Sequence, residues 1–247
     1  MPGSARSISA AVRPVLEVSG INTFYGQAHI LHDVSLKVAS GEVVTLLGRN
    51  GAGKTTTLKS IMQLVPPQSG RVGFDDDAIT GMATYKVCRK GIGYVPEDRR
   101  IFDNLSVAKN LEAGRLPARD GFAAWTPDRL YNLFPNLRER QDNQGNQLSG
   151  GEQQMLSIAR TLMGNPKLLL LDEPSEGIAP VIIEQMAQTI TDLKQQGLSI
   201  LLSEQNLHFA KLVADRAYIL ETGTIKFAGT IEELEKRPEV RDAYLAI

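Results

Sequence analysis

The sequence is poor in cysteine, in long apolar runs and in net charge, and each shortage removes a class of protein. Cys88 is its single cysteine, which excludes an internal disulfide framework and fits a reducing compartment; Cys88 itself reads as a small, inert residue. No stretch reaches the ~18 consecutive apolar residues of a spanning helix, which leaves any membrane role to a partner. Lys and Arg total 27 against 28 Asp and Glu, a formal charge of −1. That balance supplies neither the basic field of a nucleic-acid binder nor an acidic tail for a basic partner. Internal repeats, low-complexity tracts and Pro/Ser-rich linkers are missing too. The opening MPGSARSISAAVRP is small, free of acids and without the continuous apolar run of a secretory signal. It reads as a flexible tail over residues 1–13, with a transit peptide as the alternative, ahead of one domain over 14–247.

What is present suffices for a core: 42% of the 247 residues are hydrophobic, as expected of a soluble globular chain. LEVSGI, VSLKV and GEVVTLLG are short runs rich in branched apolar residues and read as strands. The third feeds a glycine-rich loop, and TTTLKSIMQLV follows as a predicted helix stopped by Pro66 and Pro67. KLLLLDEP and LSILLSEQ are nearly continuous apolar runs ending in acids, the pattern of parallel strands buried on both faces. Charged groups thus gather at the carboxyl ends of the strands, where open α/β sheets bind ligands. Between these halves, over about 98–160, the texture turns helical and polar. There Thr126-Pro127 predicts an N-cap followed by a first helical turn, with Leu130, Leu133 and Phe134 on one face. This is an α/β fold with an inserted helical lobe.

The loop carries the strongest chemistry. Gly48-Arg49-Asn50-Gly51-Ala52-Gly53-Lys54-Thr55 matches G-x-x-x-x-G-K-[ST], and Thr56 extends the set into the helix. Its glycines let successive backbone N–H groups turn inward on phosphate oxygens at a helix start. Lys54 then reaches the β and γ phosphates, and the Thr55 hydroxyl offers itself to Mg²⁺. A glycine-rich turn that binds nothing would not need a strand before it and a helix after it. The LLLLDE run delivers two acids at the end of a buried strand. Asp172 is placed to hold Mg²⁺ through water, and Glu173 to act beside the γ-phosphate as general base or orienter of water.

Leu148-Ser149-Gly150-Gly151-Glu152 contains an S-x-x-E capping box at the head of a helix whose Met155, Ile158, Ala159, Leu162 and Met163 fall at core spacing. Two glycines in a first turn cost up to ~1 kcal/mol each relative to alanine, so something there requires bare backbone. Exposed N–H groups beside a serine hydroxyl make an anion site.

A phosphate loop, then LSGGE, then LLLLDEP, in that order, resembles the nucleotide-binding domain of ABC transporters, over about Val15 to the C-terminus. The resemblance implies a P-loop NTPase with a mostly parallel core sheet, an antiparallel β subdomain and an inserted helical subdomain. It also implies a head-to-tail dimer in which Ser149, Gly150 and Gly151 of one cassette close over the ATP held by the other. Tyr25 occupies the position where an aromatic ring stacks on adenine, with a core tyrosine of the first hairpin as the alternative. Gly93-Tyr94-Val95-Pro96-Glu97 resembles the loop joining the lobes, which usually presents glutamine to Mg²⁺ and the attacking water; Glu97 stands here instead. Gln205 stands where most cassettes carry a histidine that touches the γ-phosphate, and Ala179 where the subunit-crossing loop commonly ends in aspartate.

VPE, LSGGEQQM, DEPSEGIAP and EQN, with IFDNLSVAKNLEAG, look like the LivF-like ATPases of branched-chain amino-acid importers. Those subunits pair with a second, non-identical ATPase, act on permease subunits at the cytoplasmic face of the inner membrane, and serve a solute-binding protein. Related importers carry amides, urea or other amino acids, and no residue of this chain touches the solute. Arg99 and Arg100 are placed either to meet acidic permease loops or to form a solvated basic turn. A neutral amide at 205 and a carboxylate at 97 leave the γ-phosphate short of positive partners, so the isolated chain is expected to hydrolyse ATP slowly. The rival readings are a P-loop phosphotransferase, a soluble non-transport ABC protein, and a scaffold that binds nucleotide without hydrolysis.

Overall fold

A computed structural model describes residues 13–119 and 123–245. Apart from Arg13, the tail expected over 1–13 lies outside the described residues. The chain opens with a hairpin, β1 (Pro14–Tyr25) and β2 (Ala28–Ala39), followed by β3 (Val43–Leu47) and α1 (Lys54–Ile61). Next come β4 (Ser69–Phe74), β5 (Asp77–Ala78), α2 (Thr84–Lys90) and β6 (Ile92–Val95). Four helices then intervene: α3 (Val107–Ala113), α4 (Pro127–Leu133), α5 (Pro135–Glu139) and α6 (Gly150–Leu162). The remainder alternates: β7 (Leu168–Asp172), α7 (Pro180–Gln195), β8 (Ser199–Glu204), α8 (Leu207–Val213), β9 (Arg216–Glu221), β10 (Thr224–Thr230), α9 (Ile231–Glu235) and α10 (Pro238–Leu245).

Two sheets form. One is antiparallel in the order β2-β1-β4-β5; the other runs β10-β9-β3-β8-β7-β6 and is parallel except where β10 pairs with β9 at its edge. Every residue of β3, β7 and β8 is buried, as continuous apolar runs in a two-sided sheet require. Successive side chains point to opposite faces, so each of these strands feeds two cores. Val43, Leu169, Leu171, Ile200 and Leu202 face α3–α7, whereas Val44, Leu168, Leu170 and Leu201 face α1 and the antiparallel sheet. The parallel register then aligns strand ends. Leu47 pairs with Glu204 and Asp172 with Ser203, which brings three carboxyl-terminal loops together.

The helical insertion is built on local signals. Thr126 caps α4 by accepting from the Arg129 N–H at 3.3 Å, Pro127 begins the helix, and Leu130 and Phe134 are buried. One expectation fails: α1 ends at Ile61, five residues before Pro66. Gln63 stops it, in a left-handed conformation (φ 59°), with its side-chain amide donating to the Ser60 carbonyl at 2.7 Å and accepting from the Gly81 N–H at 2.7 Å. These two bonds hold Gln63 in that turn, and the break precedes the prolines. Among the described residues no helix is long and apolar enough to cross a membrane.

Candidate active site

The loop after β3 needs glycine for two distinct reasons. At Gly48 an added Cβ would lie 2.3 Å from the Leu220 carbonyl oxygen, a backbone atom of β9 that cannot move away. Gly53, the N-cap of α1, has φ 107° and no side-chain cap, so the first N–H groups of the helix remain available to an anion. Acids are absent from that first turn, which leaves the positive end of the helix uncompensated.

Beneath the loop lies an unusually dry set of charges. Lys54 Nζ donates to the Gly48 carbonyl at 2.7 Å and the Arg49 carbonyl at 3.1 Å, and is 2.9 Å from Glu173 Oε1. The two side chains are 3% and 5% exposed, so the pair interacts through little water. Glu173 is held by its backbone: φ is 47°, and its N–H points to both the carbonyl and the hydroxyl of Ser203 at 3.1 Å. A non-glycine residue kept in that region stores strain, and such strain concentrates at functional sites. Its second carboxylate oxygen, Oε2, is buried without a hydrogen-bond partner. A buried acceptor left without a partner is costly, so this oxygen is open to a hydrogen-bond donor entering the cleft.

Asp172 is 1% exposed and collects three hydroxyls. Thr55 donates to Oδ1 at 2.9 Å, Ser203 to Oδ1 at 2.7 Å, and Tyr94 to Oδ2 at 2.9 Å. Tyr94 and Ser203 were not anticipated from sequence. A strand hydroxyl carries no spacing signal, although the alignment of the ends of β6, β7 and β8 places both beside Asp172. Burial, then the adjacent Asp172 carboxylate, pushes the Tyr94 phenol up, which keeps it a proton donor. Glu204, likewise unforeseen, accepts from the Ser175 and Asn206 N–H groups at 3.1 and 3.2 Å. Burial outweighs those bonds and raises its carboxyl above the usual range.

Tyr25, Asn50, Gly51, Gly53, Lys54, Thr55, Thr56, Glu97 and Glu173 all border one cleft of ≈ 420 Å³. Tyr25 is 45% exposed at the end of β1, an open ring rather than a core tyrosine. Glu97 is exposed at the cleft's edge, and its charge helps, after burial and Glu173, to raise the carboxyl of Glu176. Three acids thus converge where an anion would end. Gly48, Arg49 and Ala52 shape the loop, with the Ala52 N–H bonded to the Arg49 carbonyl at 3.1 Å. Gln205 and Ser149 are exposed, Gly150 is half-buried and Gly151 buried, and all four lie outside the cleft lining.

The LSGGE segment is a self-contained cap. Ser149 N–H donates to Glu152 Oε2 at 2.8 Å, and the Glu152 N–H to Ser149 Oγ at 3.3 Å. Gly151 is also a packing requirement, whereas the neighbour of Gly150 is the movable tip of an arginine. A Cβ at Gly151 would sit 2.8 Å from Ile182 Cγ2, and one at Gly150 3.1 Å from Arg99 Nη1.

Comparison with known proteins accords with this geometry. The ABC transporter family pattern matches residues 31–176. A high-affinity branched-chain amino acid transport ATP-binding protein, BraG of Pseudomonas aeruginosa, is 44% identical over 94% of this chain and 99% of its own length. The lipopolysaccharide export system ATP-binding protein LptB of Escherichia coli is 39% identical over 90% of this chain and 92% of its own. Among solved structures, a nucleotide-free ATP-binding cassette from an ABC transporter superposes with TM-score 0.79 at 25% identity, covering 92% of this chain and 97% of that one. The chain belongs to the ABC transporter family, as one of its nucleotide-binding ATPase cassettes.

Proposed function

We propose that this cassette hydrolyses ATP to power uptake of branched-chain amino acids through a membrane permease. The observation that carries the solute class is the 44% identity to BraG across nearly the whole of both chains. The working unit in this reading is a head-to-tail pair, a heterodimer with a second cassette. It is bound peripherally at the cytoplasmic face of the inner membrane and supplied by a solute-binding protein. The exposure of Ser149 supports the pairing: it lies outside its own chain's cleft, available to another's nucleotide.

In this mechanism adenine lies against the open ring of Tyr25, and the phosphates enter the arc of N–H groups from Gly51 to Thr56. Lys54 Nζ keeps its loop carbonyls and exchanges Glu173 Oε1 for a phosphate oxygen. Glu173 then presents a desolvated carboxylate, held by its strained backbone, that accepts a proton from the attacking water. Glu97 lines the same cleft and shares in ordering that water. Gln205 offers an amide to the terminal phosphate once the cleft is closed by the second subunit. The oxygen-only donor set fits Mg²⁺. Among the described residues no group of three His, Cys, Asp or Glu gathers to chelate a metal alone, as expected of an ion that keeps waters and shares phosphates. Thr55 Oγ1 and, through water, Asp172 would be its protein donors, and the ion would supply positive charge against the β and γ phosphates.

The test is phosphate release from the chain reconstituted in vesicles with its membrane subunits and second cassette. Leucine-loaded solute-binding protein should stimulate release severalfold. Equal stimulation without solute, or stimulation by lipopolysaccharide instead, would sink the assigned solute class.

A further inference from the structure

We propose that Tyr94 is a positioning residue that links the groove beside β6 to the carboxylate of Asp172. Two observations meet in this one side chain. Its hydroxyl donates to Asp172 Oδ2 at 2.9 Å, on the nucleotide side of the sheet end. The same residue lines a separate groove of ≈ 320 Å³, together with Cys88, Arg100, Phe102, Arg160 and Thr161. Tyr94 is absent from the lining of the nucleotide cleft, so one residue borders the groove while its hydroxyl reaches the carboxylate at the sheet end.

The groove is built to receive something. Phe102 is 49% exposed, with the Arg160 guanidinium 4.9 Å from its ring centre. Arg160 Nη2 donates to the Arg100 carbonyl at 2.6 Å, whereas its Nη1 is buried without a hydrogen-bond partner. A buried cationic donor in that condition favours an occupant that brings a carbonyl or carboxylate. In the function proposed above the occupant is a permease segment; the inference rests on that reading only for the occupant's identity.

The physical link is short. The two oxygens of Asp172 are held from different directions, Oδ1 by Thr55 and Ser203 and Oδ2 by Tyr94. A phenol oxygen moves rigidly with its ring, so a displacement of about 1 Å at the groove takes the 2.9 Å bond beyond hydrogen-bond range. Asp172 is then free to reorient towards Mg·ATP. The coupling is reciprocal, because whatever Mg·ATP does to the Tyr94 ring must be matched by what the ring does to Mg·ATP affinity.

Cys88 provides a native reporter, since it is the single thiol, half-buried in the same groove lining. The experiment compares its alkylation rate by N-ethylmaleimide with a non-hydrolysable ATP analogue plus Mg²⁺, and with the analogue plus chelator. In the parent chain Mg²⁺ should change the rate about threefold or more, the scale of one hydrogen bond. In Tyr94→Phe, which keeps the ring, the change should vanish while metal-free nucleotide binding stays the same. Ser203→Ala, which removes a hydroxyl from the other oxygen of Asp172, should retain it. A parent rate indifferent to Mg²⁺ overturns the proposal, as does a full response in Tyr94→Phe or its loss in Ser203→Ala. Neither permease nor solute enters the measurement, so failure here is separable from failure of the transport assignment.

Discussion

The floor of the nucleotide cleft and the LSGGE turn both act on phosphate in the proposed mechanism, but they are assembled in opposite ways. The floor is made by distant residues: Thr55 and Asp172 are 117 positions apart, Tyr94 and Asp172 are 78 apart, and its charged groups Lys54, Asp172 and Glu173 are nearly dry. The LSGGE turn is made within four residues by reciprocal capping bonds, and Ser149 stands in solvent. A dry, tertiary site concentrates electrostatic force on atoms it alone positions, whereas a local cap folds by itself and acquires chemistry only when a second surface covers it.

The sharpest way to break that contrast is at Glu173. Glu173→Gln keeps the shape of the floor but removes the proton acceptor. Turnover in the assembled complex should fall by about 10²–10⁴-fold, measured by phosphate release, while nucleotide titration shows binding preserved. Retained turnover would remove Glu173 from the role of base.

How far the sequence carried this site follows the same division. The phosphate loop, the capping box and the buried DE strand end were legible because their signals are local: glycine spacing, an S-x-x-E pair, an unbroken apolar run. Tyr25 and Glu97 were legible through the family resemblance, and the structure brings both to the cleft. Tyr94, Ser203 and Glu204 were not, since parallel register sets their neighbours and register is invisible in one strand alone. Gly151 was half legible: its bare backbone pointed to an anion, yet contact with Ile182 across to α7 supplies an equal reason. The end of α1 was misread because proline is a louder signal than a glutamine whose two amide bonds close a turn.

Ser149→Ala tests the other side of the contrast. It removes a cap worth about 1 kcal/mol, so the melting temperature should drop by roughly 2–4 °C for a chain of this size. Nucleotide binding by the isolated chain should be unaffected, since Ser149 does not border its own cleft, but hydrolysis in the assembled complex should fall about tenfold. A hydrolysis defect in a strictly monomeric preparation would contradict the head-to-tail arrangement.

Between the two regions lies the acidic rim. Glu97→Gln takes one carboxylate from a cleft that must hold phosphates, and Glu97 is exposed, so screening keeps the gain small. Nucleotide affinity should rise by about two- to fivefold in titrations at low salt and by less at high salt. The Glu176 carboxyl, raised in part by Glu97, should move back towards its usual range in the same variant.

The smallest effect is expected at Glu204, behind the floor. Its folded-state carboxyl is raised above 4.5, chiefly by burial, so the folded chain binds that proton more tightly than the unfolded chain does. The stabilisation is therefore complete below the unfolded value and is lost as pH rises through the folded one. Glu204→Gln cannot titrate, and its amide must turn one N–H towards the Ser175 or Asn206 N–H groups. Relative to this variant the parent should be most stable near pH 4, and its advantage should shrink as pH climbs towards 7, measured as the difference in melting temperature. A difference that grows with pH would show that the bonds from Ser175 and Asn206, rather than burial, govern this carboxylate.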